Sequence, residues 1–295
     1  MEKKKYKVFI QSNKKQLAGA LIAKHSIISN SKRPELFEVE IMELENYPQL
    51  LKYEGKKYLK NGHYDTWNYN DLQSFTMTRF LPPQLMNYEG RAIAIDPDVF
   101  ATEGTEIMEL FEKDMNGYSI LACSSGGKGF KSSVMLLDCA KLKHWNWERC
   151  LEEIFTLKRD YRDWAFLNFE PKGSVGVLED CWNHCDILNE DTRFIHYTRR
   201  LTQPWKTGLK VDFRYDIKSS KFSFIPLPVL KFLKRALRRG TEYHTKYMKN
   251  PYPDQETFFF KLVKNALSDG AISNDFVKSN IALGYIRKDF EKCLV

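Results

Sequence analysis

The hydrophobic pattern of this chain switches repeatedly between the period of a strand and the period of a helix, which predicts an α/β fold. Tyr6–Ile10 is an apolar run of β-branched and aromatic residues and reads as a first strand. Polar Gln11-Ser12-Asn13-Lys14 follows, and then Leu17, Ala20, Leu21, Ile27 and Ile28 recur at helical spacing. Strand, turn and helix make the opening half of a βαβ unit. Phe37–Met42 alternates as a second strand would, whereas the stretch from Asn46 to Asn70 lacks periodicity and predicts a long functional loop with some helix. Ser74–Met86 carries helical spacing. Ala92–Ile95 is uninterrupted and apolar, the pattern of a strand buried on both faces. Helices are expected at Gly104–Phe111 and Trp145–Leu157. Strands are expected at Tyr118–Cys123, Phe130–Asp138, Val175–Leu178 and Phe194–Tyr197, with Ser124–Gly129 a flexible loop.

The pattern changes after Phe213. Leu230, Leu233 and Leu237 share one helical face, Lys234, Arg235, Arg238 and Arg239 cover the others, and Gly240 stands where a helix C-cap belongs. Two further helices are expected over Asp254–Leu267 and Asn274–Glu291. The chain therefore divides into residues 1–215, an α/β domain, and residues 216–295, a helical basic subdomain. The basic stretch 229–239 admits two readings: a helix lying on an anionic membrane surface, or one packed on the main domain with a solvated face.

Composition narrows this picture. Hydrophobic residues at 43% and aromatics at 14% exclude a disordered chain, and 295 residues suffice for a full core. A net charge of +8 predicts an anionic partner. No apolar run approaches the length of a membrane span, and Glu2-Lys3-Lys4-Lys5 leads straight into a strand, which predicts a cytoplasmic protein. The six cysteines are dispersed, with only Cys181 and Cys185 close together. Reduced thiols follow, and a zinc site does not.

The candidate chemistry sits at strand ends. Asp96 and Asp98 appear abruptly after Ala92–Ile95, with Pro97 between them to end the strand and fix the turn. Acids at the carboxyl edge of an α/β sheet lie where such sheets bind ligands, and paired hard oxygens suit Mg2+ or Mn2+. An acidic turn is the alternative. His196 ends another strand ahead of basic Arg199 and Arg200, and is read either as a metal ligand or as a core histidine. Arg79 is either a clamp for an anionic group or a surface ion pair. Gln11–Lys14 is either a ligand loop or a capped helix start.

Three of these stretches together resemble the family 8 retaining glycosyltransferases: Arg79, then Asp96-Pro97-Asp98, then His196 with Pro204-Trp205, in family order from Tyr6 to about Phe213. The resemblance implies a GT-A, Rossmann-like mixed and mostly parallel sheet flanked by helices, in which residues 1–215 bind a nucleotide sugar and catalyse transfer. It implies Mn2+ (or Mg2+) held by Asp96, Asp98 and His196, and a UDP-sugar donor. Gln11, Ser12, Asn13, Arg79, Asp96, Lys131, Ser132 and Lys206 take donor-binding places, and Asp163 and Lys206 take catalytic ones. The acceptor would be a glycan, a lipid-linked glycan or a protein, and no nucleic acid is expected.

The chain departs from the family at four places. Lys131-Ser132-Ser133 replaces Asn-x-Gly, Trp164 and Ala165 follow Asp163 in place of Gln-Asp, Arg199 replaces Gly, and Gln203 replaces the lysine before Pro-Trp. Two other functions stay open on these grounds: a catalytically impaired nucleotide-sugar or nucleic-acid binder, and a sugar-nucleotide nucleotidyltransferase. The latter wants a Gly-rich phosphate loop after the first strand, which Gln11–Lys14 does not supply.

Overall fold

The computed structural model describes residues 6–213 and 245–294. In chain order the first half contains β1 (Tyr6–Ser12), α1 (Leu17–Asn30), β2 (Phe37–Glu43), β3 (Lys57–Lys60), β4 (His63–Thr66), α2 (Pro82–Leu85), β5 (Arg91–Ile95) and β6 (Val99–Ala101). Then come α3 (Ile107–Phe111), β7 (Ile120–Ser124), β8 (Phe130–Asp138), α4 (Trp147–Phe155), α5 (Tyr161–Ala165), β9 (Val175–Val177), β10 (His184–Cys185) and β11 (Phe194–His196). Beyond residue 245 the helices are α6 (Pro253–Ser268) and α7 (Asn274–Ala282).

Six strands form the central sheet in the order β2-β1-β5-β8-β7-β9. The β1–β2, β1–β5 and β7–β9 pairs are parallel, and β8 runs antiparallel to both neighbours. This is the mixed, mostly parallel sheet that the sequence predicts. Its apolar runs are continuous because both faces are covered. Val8, Ile10, Ile93, Ile95, Val134 and Leu136 enter the core shared with α1, α3 and α6, while Phe9, Ala92, Ala94, Met135 and Leu137 enter the one shared with α4 and α5. A one-residue slip of β5 would keep its side chains buried but would drive Ile93 and Ile95 into places filled by Ala92 and Ala94, and overpacking of that kind costs about 1–3 kcal/mol per site.

The topology brings three chain ends to one edge. β1 and β5 both finish there, β8 starts there with Val134 opposite Ile95, and the Asp96 N–H donates to the Ser133 carbonyl at 3.0 Å. A three-stranded sheet, β10-β11-β6, lies just beyond. Its antiparallel β6–β11 pair sets His196 opposite Val99, and the Tyr197 N–H donates to the Asp98 carbonyl at 3.0 Å. That pairing joins two segments nearly a hundred residues apart at the metal-type residues.

Several elements differ from the sequence expectation, each for a local reason. Ser74–Met86 is a 3-10 turn over Ser74–Thr78 followed by the four-residue α2, because Pro82 and Pro83 cannot donate to a continuing helix. The aperiodic stretch 46–70 contains the β3–β4 hairpin, turned at Asn61 and Gly62 with φ of 54° and 71°. α7 stops at Ala282 and Gly284 adopts φ 72°, so the helix does not run on to Glu291. The basic helix expected over 229–239 lies outside the described residues. α6 and α7 share the core of α1: Phe259 and Val263 join Ala20 and Ala23, and the Arg287 N–H donates to the Trp205 carbonyl at 2.7 Å.

Candidate functional site

Asp96 and Asp98 follow β5 directly, and Pro97 between them is pinned from behind by α1. At Gly19 of that helix a Cβ would come within 2.7 Å of the Pro97 carbonyl oxygen and 3.4 Å of the Trp205 ring. Only a glycine lets the helix lie this close to the turn. Asp96, Asp98 and His196 each offer a ligand atom, and these atoms lie within 4.8 Å of one another.

Hydrogen bonds orient every member of the group. Arg79 donates through Nη2 to both oxygens of Asp96, at 2.7 and 3.0 Å, and through Nη1 to Ser132 Oγ at 3.0 Å. Ser132 Oγ in turn donates to the Ala165 carbonyl at 2.6 Å. Gln11 Nε2 also donates to Asp96 Oδ1. Gln203 Nε2 donates to Asp98 Oδ2 at 2.9 Å. On the other side Asn183 donates through Nδ2 to Ser133 Oγ at 2.9 Å, so its Oδ1 accepts from His196 Nδ1 at 2.9 Å. His196 Nε2 then faces Asp98 Oδ1 at 3.4 Å.

The electrostatics follow from burial and from these partners. Burial pulls His196 down, but the charge of Asp98 and the hydrogen bond to it win, and its pKa is pushed up to about 10. Burial raises Asp96 above the ordinary carboxylate range against the opposing pull of Arg79 and His196. The donor set fits a small divalent cation. It combines two carboxylates with an imidazole whose Nδ1–H is committed to Asn183, so that Nε2 is the nitrogen left to bind. A cation would take the place of the Nε2 proton on Asp98.

Above the group opens a cleft of about 310 Å³, lined by Arg79, Asp96, Asp98, His196, Gln203 and Arg200 together with Lys60, Thr76, Tyr161 and Arg162. Arg200 donates to Gln73 Oε1 at 2.7 Å and stacks 4.7 Å over the Phe213 ring. These are neutral partners, so its charge stays available to an anion in the cleft.

The other predicted residues are distributed unequally. Asn13 is spent internally. Its Oδ1 accepts from the Lys15 and Gln16 N–H groups ahead of α1, and its Nδ2 donates to the Asp71 and Leu72 carbonyls and to Ser74 Oγ. Ser12 is buried and donates to the Asn13 carbonyl. Lys131 is partly exposed, 3.9 Å from Asp180, and is not among the cleft residues. Asp163 is exposed, accepts from Asn168 Nδ2 at 3.0 Å and also stands off the cleft, while Trp164 beside it is buried and stacks on Phe80 at 4.1 Å.

Lys206 is fully buried. Its Nζ lies 3.7 Å from Asp212 Oδ2 and 5.6 Å from the Tyr247 ring centroid, and makes no hydrogen bond among the described residues. Burial draws its pKa down to about 8, against the opposing charge of Asp212. Sequence reasoning missed Asn183 as an anchor of His196, because a lone buried amide leaves no periodic or charged signature. It also missed the contact between Gln203 and Asp98.

No family model matches the chain, and no curated protein matches it. Among solved structures it is similar to the apo-form glycosyltransferase GlyE of Streptococcus pneumoniae TIGR4, at 17% identity and a TM-score of 0.47 over 83% of this chain and 65% of that one. It is also similar to mouse xyloside xylosyltransferase 1 (16%, TM-score 0.44, 66% of this chain and 98% of that one). A third is the galactosyltransferase LgtC in complex with donor and acceptor sugar analogs (15%, TM-score 0.42, 68% and 89%). The chain thus spans less than two thirds of the length of GlyE. Likeness at this level assigns no activity, and the functional reading rests on the site's own residues.

Proposed function

We propose that the chain is a metal-dependent, retaining glycosyltransferase that moves a hexose from a UDP-sugar to a hydroxyl of a glycan, lipid or protein acceptor. One observation carries this reading: two carboxylates and an imidazole converge at the carboxyl edge of the sheet, at the foot of a cleft bordered by Arg79 and Arg200. Such a donor set suits a cation shared with a diphosphate.

Breaking the bond from the sugar to the diphosphate leaves negative charge on the departing oxygen. Asp96, Asp98 and His196 would hold a divalent ion there, which would supply the opposing charge. The chain's own residues set the conditions. Arg79 and Gln11 hold Asp96, Gln203 holds Asp98, and Asn183 fixes the His196 ring. Arg200 brings a cationic charge to the cleft, and Tyr161 and Thr76 line it as a chain in which the Tyr161 hydroxyl donates to Thr76 Oγ1 at 2.8 Å and Thr76 donates to the Gln73 carbonyl at 2.9 Å. Among the described residues no carboxylate besides Asp96 and Asp98 lines the cleft to serve as a covalent nucleophile, which favours front-face attack by the acceptor on the sugar. Asp163, next to cleft-lining Tyr161 and Arg162, is assigned to a hydroxyl of an extended substrate.

Gln203, neutral beside Asp98, and Lys206, buried off the cleft, favour a second reading: a nucleotide-sugar binder with little turnover. A thermal-shift series with nucleotides and UDP-sugars, with and without Mn2+, tests the first step. Stabilisation by UDP that needs Mn2+ and vanishes in Asp98→Ala is expected, and no response to any nucleotide would sink both readings. Release of UDP from the stabilising donor then separates transferase from binder.

A further inference from the structure

Gln203 stands in the cleft wall, yet its side chain is spent on a metal ligand. It is fully buried, its Nε2 donates to Asp98 Oδ2 at 2.9 Å, and its Oε1 accepts from Gln16 Nε2 at 3.3 Å. Gln16, at the start of α1, is itself 2% exposed. The orientation of the Gln203 amide is determined: turning it over would set Oε1 against a carboxylate oxygen and present two N–H groups to each other. Pro204, with its locked φ, and fully buried Trp205 follow immediately and hold the backbone at this position.

The consequence falls on how Asp98 can ligate. A carboxylate that chelates one ion needs both oxygens on it, and Oδ2 here is already oriented by the amide hydrogen bond of Gln203. Oδ1, on the His196 side, is the oxygen left open. At Asp96, Oδ1 accepts from both Gln11 and Arg79, and Oδ2 accepts from Arg79. Each oxygen keeps a lone pair for an ion, so both residues can ligate through one oxygen. Chelation is another matter: Arg79 Nη2 bridges the two oxygens of Asp96 and fills its chelating face, and on Asp98 a chelating Oδ2 would have to share with the Gln203 amide. Single-oxygen ligation with water and phosphate completing an octahedron suits Mg2+ and Mn2+. Ca2+ prefers six to eight oxygens and readily takes both from one carboxylate.

We infer that Gln203, braced by Gln16, is a positioning residue that makes Asp98 a single-oxygen ligand and thereby sets the preference of the site for Mn2+ or Mg2+ over Ca2+. This rests on the metal-dependent reading above. Gln203 acts through Asp98 and does not itself touch the ion.

The test measures ion binding, not turnover. The full chain is titrated with Mn2+ while the free-ion electron paramagnetic resonance signal is followed, and Ca2+ is then added as competitor. The variants are Gln203→Met, which keeps length and removes the donor, and Gln16→Met, which touches no metal ligand. Loss of a ligand's orienting partner lowers metal affinity about 10- to 100-fold. The expected result is a fall of about tenfold or more in the Mn2+/Ca2+ affinity ratio for Gln203→Met, and a smaller fall in the same direction for Gln16→Met. If Gln203→Met does not fold, Gln16→Met carries the test alone. An unchanged ratio in the folded variants overturns the inference and leaves the metal reading intact. A wild-type chain that binds neither ion overturns both, and the wild-type arm tells the two failures apart.

Discussion

Gly19→Ala is the most local way to ask whether the Asp96-Pro97-Asp98 turn is positioned from behind by α1. The added Cβ would sit 2.7 Å from the Pro97 carbonyl oxygen, well inside contact distance, and the obstacle is backbone that cannot rotate away. Overpacking of this kind costs about 1–3 kcal/mol. Against it, alanine improves the interior of a helix over glycine by about 1 kcal/mol. The net expectation is a loss of about 1 kcal/mol, a drop of about 2–4 °C in Tm for a chain of this size class. The more telling consequence is a displacement of Pro97, which separates Asp96 from Asp98, so that Mn2+ affinity falls out of proportion to stability. Ile27→Val, on the same helix and 1% exposed, is the control: it loses about 0.5–1.5 kcal/mol without touching the turn. Thermal melts and Mn2+ titrations of both variants decide. A raised Tm with unchanged Mn2+ affinity in Gly19→Ala, as helix propensity alone predicts, would refute the reasoning.

Three other outcomes are expected. Lys206 has its pKa drawn to about 8 from 10.5, so the unfolded chain binds the extra proton between those values and stability rises as pH increases from 8 towards 10.5. The whole span is worth on the order of 3 kcal/mol at 1.36 kcal/mol per unit; because His196 loses stability over the same range, the readout is a difference, and in urea melts the wild type should gain on Lys206→Met between pH 7 and 9.5. His196, pushed up to about 10, adds stability that is complete below its unfolded pKa near 6.5 and is lost as pH rises through 10. Mn2+ must therefore displace a proton, so calorimetry at pH 7.5 in buffers of different ionisation enthalpy should report about one proton released per ion, and His196→Gln should abolish it. Arg79→Ala leaves Asp96 buried without its cation and should cost about 3–5 kcal/mol in the urea midpoint analysis, more than a surface arginine would.

The sequence shows the parts of this site that announce themselves by contrast. Two acids breaking from an apolar run at a proline, and a histidine closing another, are visible because charged groups seldom follow buried strands without cause. The continuous hydrophobicity of β5 likewise announces a sheet covered on both faces. The hairpin within residues 46–70 was also legible, since Asn61-Gly62 is a strong two-residue turn signal, but the polar flanks Lys57–Lys60 and His63–Thr66 hide it from a search for apolar alternation. Other features depend on distant partners and leave no local trace. Lys206 beside Pro204-Trp205 reads as a cation for a phosphate, yet Asp212 and Tyr247 enclose it, the latter contributed from beyond residue 245. Gln203 reads as a missing lysine, and only the fold shows that its amide is used on Asp98. Asn183 becomes an anchor for His196 only once β8 and β11 are neighbours of the same turn.

The central claim is that Asp96, Asp98 and His196 hold the ion that helps a nucleoside diphosphate leave a sugar. Its most direct test is UDP release from a panel of UDP-hexoses, followed as Mn2+ is titrated into the wild-type chain and Asp98→Ala. The account predicts release from at least one donor that saturates with Mn2+, is absent in chelator and is lost in the variant. Release that proceeds equally without metal, or equally in Asp98→Ala, would contradict it.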